Sequence, residues 1–137
     1  MKERRIEPRL REENLVAVTI LSADGAPTLV DKTFFCPTED VSITGLRLAF
    51  REAGVPKGAT LALRIAFRKP VRAFKHLGRV IWVRKGNFNG KPFAMGVEFT
   101  SLQEGAEETW KRMMESKLQA AQPPADNPVW LRPPPAG

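Results

Sequence analysis

The chain has 137 residues, enough for one domain with a single apolar core, and 42% of them are hydrophobic. Its 22 Lys and Arg against 15 Asp and Glu give +7, and the stretch from Arg51 to Lys91 alone holds eleven basic residues against Glu52, or +10, a surface suited to phosphates, nucleic acid or an acidic partner. A lone cysteine, Cys36, excludes an internal disulfide; with no apolar run near the roughly 20 residues of a membrane span and no signal-type apolar segment, a soluble cytoplasmic protein with no membrane insertion is expected.

The first element is "ERRIEPRLREE", Glu3 to Glu13. Pro8 lacks an N–H and pushes Glu7 toward extended geometry, so a helix through this run is disfavoured. A helix would bring Arg5 and Arg9 within about 6 Å on one face, whereas an extended chain separates them by up to about 13 to 14 Å, far enough to span a ligand. The spacing Arg-x-x-x-Arg recurs at Arg47/Arg51, Arg64/Arg68 and Arg68/Arg72, so spacing alone does not single out the first pair.

From residue 15 to residue 100, apolar and other residues alternate with the period of half-buried strands. Six segments qualify: 15–22, 28–35, 42–50, 60–68, 78–85 and 91–100. Asp24-Gly25 predicts a hairpin between the first two, and "GNFNG" a hairpin between the last two. The cleanest alternation puts Leu61, Leu63, Ile65 and Phe67 inward and Arg64 and Arg68 outward. After Thr100 the period becomes helical, with Leu102, Ala106, Trp110, Met113 and Leu118 on one stripe, predicting a helix over about 102–120 that lies on the sheet. Six short antiparallel strands need closure to protect their edges, so an all-β barrel with a C-terminal helix is the expected architecture. Six of the twelve prolines follow Gln122, and the segment 122–137 is expected to be a disordered, partly polyproline tail whose Trp130 and Leu131 could anchor a partner or dock back.

Groups for catalysis are scarce. His76 is the sole histidine, without an evident carboxylate or cysteine partner, and is expected in a loop or on the surface; Cys36 is expected to be buried. One His and one Cys forty residues apart do not make a metal site, and "GNFNGKP" lacks the spacing of a phosphate-binding loop. No enzyme, metal or cofactor is expected; a binding module is.

One further segment carries chemistry. "DVSITG", Asp40 to Gly45, occurs once, between the second and third predicted strands. Asp40 can accept hydrogen bonds from guanine N–H groups or from arginines, Ser42 offers a hydroxyl to a phosphate oxygen, and Gly45 permits a turn or a close approach. The same residues equally suit a strand-entry turn in which Asp40 and Ser42 cap local backbone groups.

"RRIEPR", then "DVSITG", then "GRVIWV" and "FAMGVEF", in this order, resemble the PilZ domain family, whose signature is RxxxR plus [DN]xSxxG, over about residues 4 to 115. The resemblance implies a six-stranded antiparallel PilZ-type barrel with a C-terminal helix that binds the bacterial second messenger cyclic di-GMP. It also implies an N-terminal arm, residues 1–13, that closes on the ligand over the barrel and helix of residues 14–121. Arg5 and Arg9 would contact phosphate and guanine; Asp40, Ser42 and Gly45 would line the other side; Arg4 resembles members that hold two stacked molecules. Ligand binding would then alter contact with a downstream protein. Two other readings stay open: a PilZ-like interaction scaffold with little ligand dependence, and a basic barrel for single-stranded nucleic acid that stacks bases on Phe67, Phe74 and Trp82. The second is disfavoured because those aromatics fall mostly on predicted inward positions.

Overall fold

The computed structural model describes residues 10–69 and 71–121. Arg4, Arg5, Pro8 and Arg9, and the proline-rich segment from residue 122 on, lie outside the described residues.

Six antiparallel strands close into one barrel: β1 (Leu15–Ser22), β2 (Thr33–Val41), β3 (Gly45–Phe50), β4 (Thr60–Arg68), β5 (Val71–Phe88) and β6 (Lys91–Ser101), in the order β1-β2-β3-β6-β5-β4. Closure removes the long free edges of an open sheet, while the end of β5, residues 81–88, pairs with β6 alone. The period-2 pattern sets the inside: Val16, Val18 and Ile20 of β1, Leu46 and Leu48 of β3, Leu61, Leu63 and Ile65 of β4, and Met95 and Val97 of β6 are all buried. Each such side chain contributes about 1.5 to 3 kcal/mol by leaving water.

One end of the barrel is plugged by α1 (Glu107–Ala121), which buries Trp110, Met114 and Leu118. Trp110 packs on Phe74 with ring centroids 5.0 Å apart, on Phe99 at 5.7 Å and on Phe67 at 5.9 Å. Its indole N–H donates to the carbonyl of Ile43 at 2.9 Å, which ties the helix to the β2–β3 turn.

Four elements differ from expectation. The second strand spans Thr33–Val41 rather than 28–35, because Pro27–Leu29 forms a 3-10 turn and Asp31, at φ 73, reverses the chain; the Asp24-Gly25 hairpin is therefore replaced by a longer connection. The third strand begins at Gly45 instead of residue 42. The fifth begins at Val71 instead of residue 78, since Phe74 and His76 continue the inward alternation through a stretch whose charges hide it. The helix begins at Glu107 instead of residue 102, and Met114 rather than Met113 is fully buried. The predicted β5–β6 hairpin is present, with Asn89 at φ 54 and Gly90 at φ 84 forming its left-handed turn.

The described end of the N-terminal segment is held to the barrel. The amide of Leu10 donates to the carbonyl of Val41 at 2.7 Å and the Val41 amide returns the bond at 2.9 Å. The Thr38 hydroxyl accepts from the Asn14 amide at 3.0 Å and donates to the Glu12 carbonyl at 2.9 Å. Glu12 in turn pairs with Lys117 of α1 at 2.9 Å.

Candidate functional site

The "DVSITG" segment ends β2 and turns into β3. Ser42 is fully buried: its hydroxyl donates to the Gly45 carbonyl and accepts from the Gly45 amide, both at 3.1 Å, while its own amide donates to the same carbonyl at 2.8 Å. The hydroxyl expected to face a phosphate is turned into the protein, where it braces the turn. Gly45 is required by close approach, since a Cβ there would drive into the carbonyl of Val97 on β6. Ile43 and Thr44 offer their carbonyls to Trp110 and to the Phe99 amide, at 2.9 and 2.8 Å. The whole turn is thus cross-braced to β6 and α1, and Asp40, the last residue but one of β2, stands half-buried beside it.

Asp40 is paired across the ladder with Arg47 of β3, and the register shifts by one between Thr38 and Asp40. Glu39 is the extra residue of this bulge, and its carboxylate reaches the Arg47 Nε at 2.8 Å. Arg11, Glu39, Asp40, Arg47 and Asn89 line a cleft of about 350 Å³. A second cleft of about 290 Å³, walled by the same Asp40 and Arg47, runs on to Trp82 and Gly96. The two clefts share Asp40 and Arg47 as lining, and Arg11 places the first beside the described end of the N-terminal segment.

Trp82, one of the three aromatics named for base stacking, belongs to the second cleft. Inward residues alternate along β5 through Phe74, His76, Gly78 and Val80, but a register shift between Val80 and Trp82 inserts Ile81 as an extra residue and flips the remainder of the strand. Trp82 then faces outward opposite Gly96 of β6 and is half-buried. A Cβ on Gly96 would come within 2.6 Å of the indole Cε2, so the ring lies flat where only glycine leaves room. The Arg47 and Arg84 guanidinium carbons sit 5.6 and 5.3 Å from the Trp82 centroid, and Arg47 is also 6.0 Å from that of Phe88. Cations and an aromatic face are therefore gathered beside a carboxylate, a combination able to grip phosphate and stack a purine.

Spacing does not single out Arg47, Glu39, Arg84 or Asn89. The available signals are the position of Arg47 two residues after "DVSITG" and the tryptophan of "GRVIWV". Phe67 and Phe74, named for base stacking, are 3% and 1% exposed, which removes two of the three platforms considered for single-stranded nucleic acid.

His76 is not in a loop or on the surface but buried in β5, at 4.5 Å from Trp110 and 4.8 Å from Phe99 by ring centroids. Its Nδ1 lies 2.8 Å from the Lys75 carbonyl and 3.2 Å from the Gln103 amide. Burial lowers its pKa to about 4, against a smaller opposing effect of the Lys75 carbonyl, so the ring is neutral at pH 7. Burial likewise pushes the Cys36 thiol up to about 12, with Lys91 opposing weakly, and the thiol stays protonated. Among the described residues no group of three His, Cys, Asp or Glu could hold a metal, and no helix is long and apolar enough to cross a membrane.

The described residues thus form a closed six-stranded antiparallel barrel with one C-terminal helix, with a braced turn and a cation–aromatic surface near Leu10. The sequence matches the PilZ domain over residues 3–116, and the chain belongs to that family. Solved structures agree in fold. The chain is similar to the inhibitor of motility MotI/DgrA of Bacillus subtilis (TM-score 0.67, 12% identity, covering 89% of this chain and 55% of that one). It is also similar to the PilZ domain with c-di-GMP of YcgR from Escherichia coli (TM-score 0.60, 16% identity, 87% and 95%). The K. pneumonia MrkH–c-di-GMP complex is a third (TM-score 0.58, 12% identity, 88% and 55%). The chain thus spans about half the length of MotI/DgrA and of MrkH. No curated protein matches the sequence closely enough to count as a relative.

Proposed function

We propose that this chain is a cyclic di-GMP receptor without catalytic activity of its own, in which the ligand lies on the Asp40–Arg47–Trp82 surface and the N-terminal arm closes over it. The observation that carries the reading is the two-bond bridge between Leu10 and Val41. Arg9 directly precedes Leu10, so the residue that follows the RxxxR segment in the chain is bonded to Val41 of "DVSITG", beside the clefts that Asp40 and Arg47 line. Further support comes from the family and from the c-di-GMP held by YcgR and MrkH, both similar in fold.

In this reading Arg5 and Arg9 contact phosphate and guanine, with Arg4 extending the grip to a second stacked molecule. Asp40 accepts guanine N–H groups, and Arg47 and Trp82 add a cation and a stacking face. Ser42 and Gly45 serve by fixing the turn that presents Asp40. Charge-assisted hydrogen bonds contribute roughly 1.5 to 3 kcal/mol each, and micromolar affinity requires about 8 kcal/mol net of ordering costs, so the arginines must each make more than one such bond and stacking must add to them. Fixing the arm against the barrel changes the surface offered to a downstream protein, which is how binding becomes a signal.

Calorimetric titration of the whole chain with cyclic di-GMP tests this. Micromolar binding is expected, with stoichiometry reporting one or two molecules, and Arg5→Ala or Arg9→Ala should weaken it at least about tenfold while the barrel stays folded. No heat and no thermal shift at tens of micromolar ligand would refute the reading.

A further inference from the structure

We infer that Glu39 is an internal competitor for this site: its carboxylate occupies Arg47 where a ligand phosphate would bind, and so raises the cyclic di-GMP concentration at which the site fills. The inference rests on the receptor reading.

The bulge supplies the geometry. An unbroken ladder would set Glu39 opposite Arg47, as one regular pair. The shift between Thr38 and Asp40 instead sets Asp40 opposite Arg47 and makes Glu39 the extra residue, so that two consecutive acids flank one guanidinium. Glu39 reaches the Nε edge at 2.8 Å, and its other oxygen accepts weakly from the Asn89 side chain at 3.4 Å. The carboxylate is largely shielded, with 17% of its side chain exposed, whereas Arg47 is 41% exposed. Both groups line the cleft of about 350 Å³.

Such a pair contributes modestly to folding, because solvent reaches the 41% exposed guanidinium and screens the contact even though the carboxylate is shielded. It matters instead to an incoming anion. A phosphate oxygen suits the Arg47 Nε–H as well as the carboxylate oxygen that now holds it, so the two compete for the same donor. Binding is therefore an exchange of anions at Arg47, and the carboxylate that is displaced lowers the apparent affinity by the stability of the internal pair. A receptor with a neutral residue at position 39 would fill at lower ligand concentration.

Titrating the full chain, E39Q, R47A and the double variant with cyclic di-GMP separates this from other roles. Glutamine keeps the volume of Glu39 and its contact with Asn89, and far-UV circular dichroism verifies folding. E39Q is expected to bind about three- to tenfold tighter, and R47A at least about tenfold weaker. In the double variant the gain from E39Q should vanish, with affinity within about twofold of R47A, because the competitor has lost its target. Equal or weaker binding by E39Q would overturn the inference and make Glu39 a residue that orients Arg47. A gain that persists without Arg47 would also overturn it, since long-range repulsion of the ligand would then account for the effect. Absence of binding by the unaltered chain would refute the receptor reading itself, a result distinct from either.

Discussion

Replacing Ser42 by alanine deletes one oxygen atom that makes two contacts with Gly45. The Gly45 carbonyl keeps a partner, since the residue 42 amide still donates to it at 2.8 Å. The Gly45 amide loses its acceptor in a buried turn, and a buried donor left unsatisfied costs about 1 to 3 kcal/mol. In a domain of this size each kcal/mol corresponds to several degrees of melting temperature, so Ser42→Ala is expected to melt roughly 4 to 15 °C below the parent. Urea unfolding followed by circular dichroism measures the first quantity, and calorimetry well below the midpoint measures cyclic di-GMP affinity. Because the hydroxyl points into the turn, affinity should fall less than about tenfold, through loosening of Asp40 rather than loss of a ligand contact. Stability within about 0.5 kcal/mol of the parent together with a tenfold or greater loss of affinity would refute the argument and return Ser42 to direct contact with phosphate.

Two other predictions concern the indole seat and the buried imidazole. Gly96→Ala places a methyl against Trp82, with overpacking of about 1 to 3 kcal/mol, and should expose the indole, shift its fluorescence to the red and weaken cyclic di-GMP binding severalfold while the far-UV spectrum is unchanged; unaltered emission and affinity would contradict the seat. His76 has its folded pKa lowered from 6.5 to about 4, so on acidification the unfolded chain takes up a proton first; the stability this represents, about 3 kcal/mol, is full above pH 6.5 and is lost as pH falls toward 4. Melting curves between those pH values should show the decline, and His76→Phe should flatten it.

The barrel was legible because its strands obey a strict alternation: Val16 to Ile20 and Leu61 to Phe67 point inward as their spacing predicts, and the Asn89-Gly90 turn announces its hairpin. In the fifth strand the pattern failed where a polar and a small residue sat in core positions. His76 and Gly78 broke the apolar rhythm of β5, so the strand's first seven residues were missed. The two bulges were invisible for a different reason. An extra residue at Glu39 or Ile81 is decided by how two strands far apart in sequence register against each other, and a single strand carries no trace of it. Those bulges set Asp40 opposite Arg47 beside Glu39 and turn Trp82 outward, so the sequence marked Asp40 and the "DVSITG" turn but not the Glu39–Arg47 pair or the side of the sheet on which Trp82 stands.

The Trp110 to Ile43 hydrogen bond and the Lys117 to Glu12 pair fasten one helix at both ends, the first to the turn after Asp40, the second to the root of the arm. The helix therefore ties the turn after Asp40 to the segment that follows Leu10, and in the proposed reading it links two parts of the chain that border the ligand surface. Any protein that grips α1 and shifts it must strain one of those fastenings, and by reciprocity the energy it expends there reappears as a changed affinity at that surface. The amount of ligand bound would then report who holds the helix, as surely as the helix reports the ligand.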